Sequence, residues 1–269
     1  MKLIVNRRKD RTPSKAFTLL EIMLSLFIIV AIAFLGKKLI FILVDSKRSV
    51  GETKIVCKGL NVTLTHISDD LKSIVLLDKR QPIFEICKHG DKNEIKLLFF
   101  TTNNEQHVTV AVQYKIVELE LGKIELSRIA LDNAATLSLQ KSLTQNSSME
   151  KFFEEIDAKN KHTHKFDVPL SEFKIRMAIK THNGSTIFTP LNTKMMYSNG
   201  ILSYHKNGKN ISVRGDLSFF DVTLKALGKN DFAKLHTLVE KDIEKAKNFL
   251  FSYARSSFVR IVPNAVSFQ

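Results

Sequence analysis

Glycine and cysteine are scarce in this chain. Ten Gly and two Cys among 269 residues exclude a collagen-like repeat, which needs Gly at every third position, and a small scaffold stapled by many disulfides. With 44% hydrophobic residues the chain is not wholly disordered either. Long apolar runs are nearly absent: a single stretch could cross a bilayer, which excludes a polytopic transporter. Catalytic signatures are missing too. There is no G-x-S-x-G, no H-E-x-x-H and no phosphate-binding Gly-rich loop, so the expectation is a protein that is not an enzyme and uses no cofactor. What remains is one or two domains of ordinary globular composition with a mean hydropathy close to zero.

Acidic residues are outnumbered, 27 Asp+Glu against 41 Lys+Arg, for a formal net charge of +14. The excess is uneven. Residues 1–16 hold Lys2, Arg7, Arg8, Lys9, Arg11 and Lys15 against Asp10, which is +5 of the total, and the other 253 residues share a dispersed +9. An inference from basicity to nucleic acid therefore has to discount the N-terminal block first.

Behind that block, Phe17 to Leu35 is a 19-residue stretch with three polar positions, Thr18, Glu21 and Ser25. As a helix at ~1.5 Å per residue it is long enough to span a membrane. Glu21 is the unexpected member. A carboxylate inside a spanning helix costs at least ~2 kcal/mol unless paired, so it reads as functional. A chain cut before Phe17 would supply the partner, because one subunit's new α-amino group could neutralise the Glu21 of another as helices pack side by side.

Lys15-Ala16-Phe17-Thr18-Leu19-Leu20-Glu21 resembles the prepilin cleavage motif of the type IV pilin-like and pseudopilin superfamily. The resemblance implies a leader of residues 1–16 removed by prepilin peptidase between Ala16 and Phe17, N-methylation of Phe17, and an assembly role for Glu21 as the fifth mature residue. Ala16 stands where Gly is usual. The implied divisions are the leader 1–16, a transmembrane and assembly helix 17–44, and a periplasmic domain 45–269, with the N-terminus cytoplasmic. An uncleaved signal anchor and a secretory signal peptide are the rival readings. For the latter, the small-x-small triplet Ala31-Ile32-Ala33 lies inside the apolar run instead of after it.

Lys37-Lys38 and the short run Leu39 to Val44 read as a continuation of the helix, with lysines reaching for headgroups. Periodicity through Ile55, Leu60, Leu64, Ile67 and Leu71 extends it to about residue 77, with a break near Gly51 or Gly59. Period-two alternation then marks strands around 94–99, 108–116, 124–129, 172–180, 185–189, 201–205, 211–227 and 257–262, the last closed by Pro263. Residues 138–165 read as an exposed insertion with a short helix over 149–156, and 230–254 as a second inserted, amphipathic helix capped by Asn230.

The fold class expected is α+β and pilin-like: a long N-terminal hydrophobic helix packed on an antiparallel sheet, with inserted helices. Within the superfamily, three segments are similar to the J-type minor pseudopilin of type II secretion. They are Ile67 to Leu71; Val112 to Ile116 leading to Leu126-Ser127-Arg128; and Phe220 to Leu227 together with Ser257 to Asn264. The implied partners are prepilin peptidase, the other minor and major pseudopilins, the inner-membrane assembly platform and the membrane itself. A minor pilin of a type IV pilus or DNA-uptake machine is the alternative.

Remaining candidates are weaker. His162-Thr163-His164 and Asp69-Asp70 lack the further ligands that zinc or calcium needs, so no metal site is expected. Cys57 and Cys87 form either a disulfide, closing a loop worth ~3 kcal/mol, or two free thiols. Phe99, Phe100, Phe219 and Phe220 sit in strand patterns and read as core, and nucleic acid is not among the expected partners.

Overall fold

Apolar side chains spaced for a helix and then for a sheet organise the chain. The computed structural model describes residues 18–76, 84–89, 94–103, 108–119, 123–143, 148–190, 195–198, 200–206, 209–263 and 266–267. Two compact units divide at Gly51 and Glu52, further along the helix than the division at 44 and 45 drawn from the sequence. The fold class is α+β, with a long N-terminal helix and a large antiparallel sheet.

Helix α1 runs from Leu19 to Lys72. Within the first unit its large side chains, Phe27, Ile32 and Phe41 among them, are exposed on every side. A helix apolar all round has no single stripe to bury and calls for lipid or for several helical neighbours. Within the second unit α1 has such a stripe, with Val56, Leu60, Leu64, Ile67 and Leu71 buried at spacings of three and four.

Neither Gly51 nor Gly59 breaks α1, contrary to expectation. Gly59 serves a close approach instead, since a Cβ there would collide with Val168 Cγ2. The helix also ends earlier than periodicity suggests. Thr101 Oγ1 donates to the Asp70 carbonyl at 2.8 Å and the Thr102 amide to the Ser73 carbonyl at 2.9 Å. These donors serve acceptors at the helix end, while Ile74 bridges to Thr101 and Val75–Leu76 becomes strand β1.

Among the described residues the main sheet has eleven strands. The first four are β2 (Phe84–His89), β3 (Glu94–Asn103), β4 (Val108–Glu118) and β5 (Ile124–Leu131). After two helices come β6 (Lys161–Lys165), β7 (Leu170–Thr181), β8 (Thr186–Pro190), β9 (Met195–Ser198), β10 (Ile201–Lys206), β11 (Lys209–Ala226) and β12 (Arg255–Ile261). A separate short pair joins β1 to β13 (Val266–Ser267) in parallel. Strand β11 has 18 residues and changes neighbours along its length. Its first third pairs with β10; the remainder pairs with β7 and, from Phe220, with β12 on its other edge. Gly215 sits at the change, where a Cβ would meet the Lys180 carbonyl oxygen at 2.5 Å. Because β5 also meets β7 at Ile124 and Leu170, hydrogen-bonded neighbours form a closed circuit through β11, β10, β9, β2, β3, β4, β5 and β7.

The main core lies on the face toward α1, where Leu60, Ile67 and Leu71 meet Phe84, Leu97, Phe99, Tyr114 and Phe220. Strand β3 is buried on both faces, which is why it reads Leu97-Leu98-Phe99-Phe100 without alternation. Leu98 and Phe100 point to a second core with Cys87 and Ala111, covered by Leu139 and Leu143 of α2 (Asn133–Leu143) and by Met149 and Phe153 of α3 (Met149–Glu155). Within the segment 138–165, expected to be an exposed insertion, 138–143 and 148–156 therefore pack on this core through four buried side chains, with α3 where a short helix was expected, while 157–165 are mostly exposed and end in β6. The second insertion is corrected as well. It is two helices, α4 (Lys229–Lys241) and α5 (Ile243–Tyr253), separated at Asp242, which adopts an extended backbone and accepts hydrogen bonds from the amides of Glu244 and Lys245. Asn230 is inside α4, with Gly228 at its N-cap.

Candidate functional site

The first candidate site is the start of α1. Thr18 is the residue before the first helical one, and Glu21 lies three further on, the spacing of a capping box. The Glu21 carboxylate accepts from the Thr18 amide at 3.0 Å and from its hydroxyl at 3.2 Å. In return, the Glu21 amide donates to Thr18 Oγ1 at 3.3 Å. Glu21 is thereby held at the N-terminal end of the helix, where free amides and the helix dipole favour a negative charge. Ala16 and Phe17 lie outside the described residues. The box itself was legible as Thr18-Leu19-Leu20-Glu21, and the sequence reading passed over Thr18 in favour of an intermolecular partner for the acid.

The second candidate site is a brace inside the second unit. Asp70 of α1 comes from the first of the three similar sequence segments, Ile67 to Leu71, and Tyr114 of β4 and Arg128 of β5 come from the second, Val112 to Ile116 leading to Leu126-Ser127-Arg128. Tyr114 Oη donates to Asp70 Oδ2 at 2.6 Å. Arg128 donates through Nε at 2.6 Å and Nη2 at 3.0 Å, one bond to each carboxylate oxygen. Burial pushes the Tyr114 hydroxyl pKa upward, and the Asp70 charge adds to it. For Arg128, burial acts against the charge, but Asp70 outweighs it and holds the guanidinium charged. Asp70 is therefore engaged, while its neighbour Asp69 is exposed.

On the opposite face, Lys96 is 6% exposed and anchors α3. Its ammonium lies 2.6 Å from Glu154 and 3.0 Å from Glu150. Burial alone would lower its pKa, and these two carboxylates raise it above the ordinary lysine range. Beside them, Glu85 Oε1 accepts from Ser148 Oγ at 3.2 Å and lies 3.5 Å from Cys87 Sγ. Cys87 is buried in this second core and Cys57 is exposed on α1, so both are free thiols and the disulfide reading is set aside. Burial, followed by the Glu85 charge, pushes the Cys87 thiol up and makes it a poor nucleophile.

His162 and His164 are in the exposed strand β6, where a surface loop was expected. His164 lies 5.5 Å from His66 of α1, measured between ring centroids. Among the described residues no group of three or more His, Cys, Asp or Glu could hold a metal ion. Phe99, Phe100 and Phe220 are buried as expected, but Phe219 is half-exposed beneath the guanidinium of Arg260. An open groove of about 1170 Å³ lies between α1 near Glu52, β5, the segment 165–169 and the start of α4. Its floor includes Val56, Leu126, Phe166 and Phe232.

Comparison of the chain with protein-family models, with curated proteins and with solved structures finds no match. The class defined by the fold is α+β, and among the described residues one helix, near the N-terminus, is long and apolar enough to cross a membrane.

Proposed function

We propose that the chain is a non-enzymatic minor pseudopilin of a type II secretion system. Prepilin peptidase cuts between Ala16 and Phe17 and methylates Phe17, and the mature protein assembles at the pseudopilus tip with other pseudopilins on the inner-membrane platform. The N-terminus is cytoplasmic and the α+β unit periplasmic. The carrying observation is the start of α1: Glu21, the last residue of the motif Lys15 to Glu21, is set at the N-terminal end of a helix that is apolar on every side. Side-by-side packing of such helices buries their apolar faces, and a methylated α-amino group on a neighbour supplies the positive charge each Glu21 needs in a low-dielectric setting. The brace of Asp70, Tyr114 and Arg128 supports the J-type reading, since it ties together two of the three sequence segments that carry the resemblance.

Substitution Glu21→Ala tests the assembly role. The variant is expected to be cleaved and inserted normally but lost from sheared pseudopilus fractions and from crosslinks to neighbouring subunits. Normal assembly and secretion by this variant would remove the role assigned to the carboxylate.

A further inference from the structure

The face of the β8–β7–β11–β12 region turned away from α1 carries a cluster of charged and aromatic side chains. Phe220, Val222 and Leu224 point into the main core, so alternation turns Phe219, Asp221, Thr223 and Lys225 outward. Asp221, with its side chain 1% exposed, lies between Arg176 of β7 and Arg260 of β12, whose side chains are each 54% exposed. Arg260 donates to it through Nε at 2.8 Å and Nη2 at 3.1 Å, and Arg176 through Nη2 at 3.2 Å. One carboxylate thus serves two guanidiniums, and one positive charge is left over. The pattern repeats two rows along, where Glu172 pairs with both Lys174 and Lys225.

The same face is aromatic. Arg260 lies 4.2 Å above the Phe219 ring and Arg176 5.7 Å from that of Phe188, and the two rings meet edge to face at 5.8 Å. Phe258, opposite Thr223 in register, is 57% exposed and Phe188 is 48% exposed. By strand spacing and rise these two exposed rings are roughly 20 Å apart across the face, the reach of a few extended nucleotides.

We propose that this face binds single-stranded nucleic acid. Phe188 and Phe258 stack bases, the Arg176 and Arg260 planes extend the stacking surface, and the two surplus positive charges neutralise phosphates. Unstacked bases can use every element of this arrangement. A duplex hides its base faces, and an acidic polypeptide uses the charges while gaining nothing from the exposed rings. The proposal is independent of the assembly reading.

Full-length protein in detergent micelles, titrated against fluorescein-labelled oligo(dT) and followed by anisotropy, provides the test. Saturable binding is expected, falling with salt by about 0.7 log units per log unit of salt for each phosphate neutralised. The double variant Phe188→Ser/Phe258→Ser is expected to bind at least ~10-fold more weakly with an unchanged circular dichroism spectrum. A second pair, Lys174→Gln/Lys225→Gln, removes the one surplus charge of the Glu172 cluster and is expected to shallow the salt slope by ~0.7. No saturable binding, or an unchanged slope in the lysine pair, overturns the proposal. So does binding that survives the phenylalanine pair, which would place it elsewhere, as on the basic residues before Phe17. Competition by poly-glutamate as effective as by unlabelled oligo(dT) overturns it in favour of an acidic polypeptide.

Discussion

Glu21 and Asp70 are acids on one helix, and their neighbours explain how each is tolerated. Glu21 is exposed and answers to Thr18, three residues away, so its local setting could be read directly from the chain. Asp70 answers to Tyr114 and Arg128, 44 and 58 residues away, and no spacing rule connects positions so far apart. Only the resemblance placed the segments that hold these three residues in one group. Substitution Asp70→Asn leaves the Arg128 guanidinium, 24% exposed, without its counter-charge. Breaking a fully buried pair typically costs about 3–5 kcal/mol, and partial exposure brings the expected loss here to roughly 2 kcal/mol. Urea unfolding of the variant measures it, and an unchanged midpoint would contradict the brace. Cysteine spacing left the choice between a disulfide and two free thiols open for a related reason: loop length says nothing about which face of a sheet a side chain occupies, and Cys87 points away from the helix that carries Cys57.

Among the elements, α1 was legible because its two patterns, apolar all round and then a stripe, are both strong helix signals. Its end was not, because the apolar periodicity runs on through Ile74-Val75, where tertiary hydrogen bonds from Thr101 and Thr102 turn the chain into strand. Gly59 was read as a break from composition alone, whereas the close approach of Val168 that it serves is visible only in three dimensions. Gly59→Ala would improve an isolated helix by roughly 1 kcal/mol. Here it is expected to destabilise the fold by about 1–3 kcal/mol through the clash with Val168, and thermal unfolding gives the sign directly. Helix α5 depends on Asp242, whose carboxyl is held below the usual carboxylate range by the Lys245 amide first, then by the Lys245 ammonium and the Glu244 amide. A depressed native pKa means the cap contributes fully above the ordinary carboxylate range and is lost as pH falls through its lowered value. Asp242→Asn keeps an acceptor that does not titrate. Far-ultraviolet circular dichroism should therefore show less acid-induced helix loss in the variant than in the native protein, and identical acid profiles would count against the cap.

At the scale of the whole molecule, the strands of the main core were largely legible because one of their faces meets α1 and the other is polar or mixed. The second core was missed where alternation fails. Leu98 and Phe100 are buried on the far side of β3, and the polar-rich segment that covers them hides its few anchors, Leu139, Leu143, Met149 and Phe153, among Ser, Gln and Lys. The circuit of strands closed by β11 and β7 rests on one long strand changing partners at Gly215, a choice made by backbone contact that leaves no periodic trace. Processing and assembly belong to the other end of the chain, where the leader meets α1. Intact mass and amino-terminal sequencing of the protein, extracted from membranes of cells that contain prepilin peptidase and of cells that lack it, test that processing most directly. A chain beginning at Phe17 and carrying one added methyl group, found only where the peptidase is present, is the predicted result. Retention of residues 1–16 in both cells, or cleavage after Ala33, would contradict it.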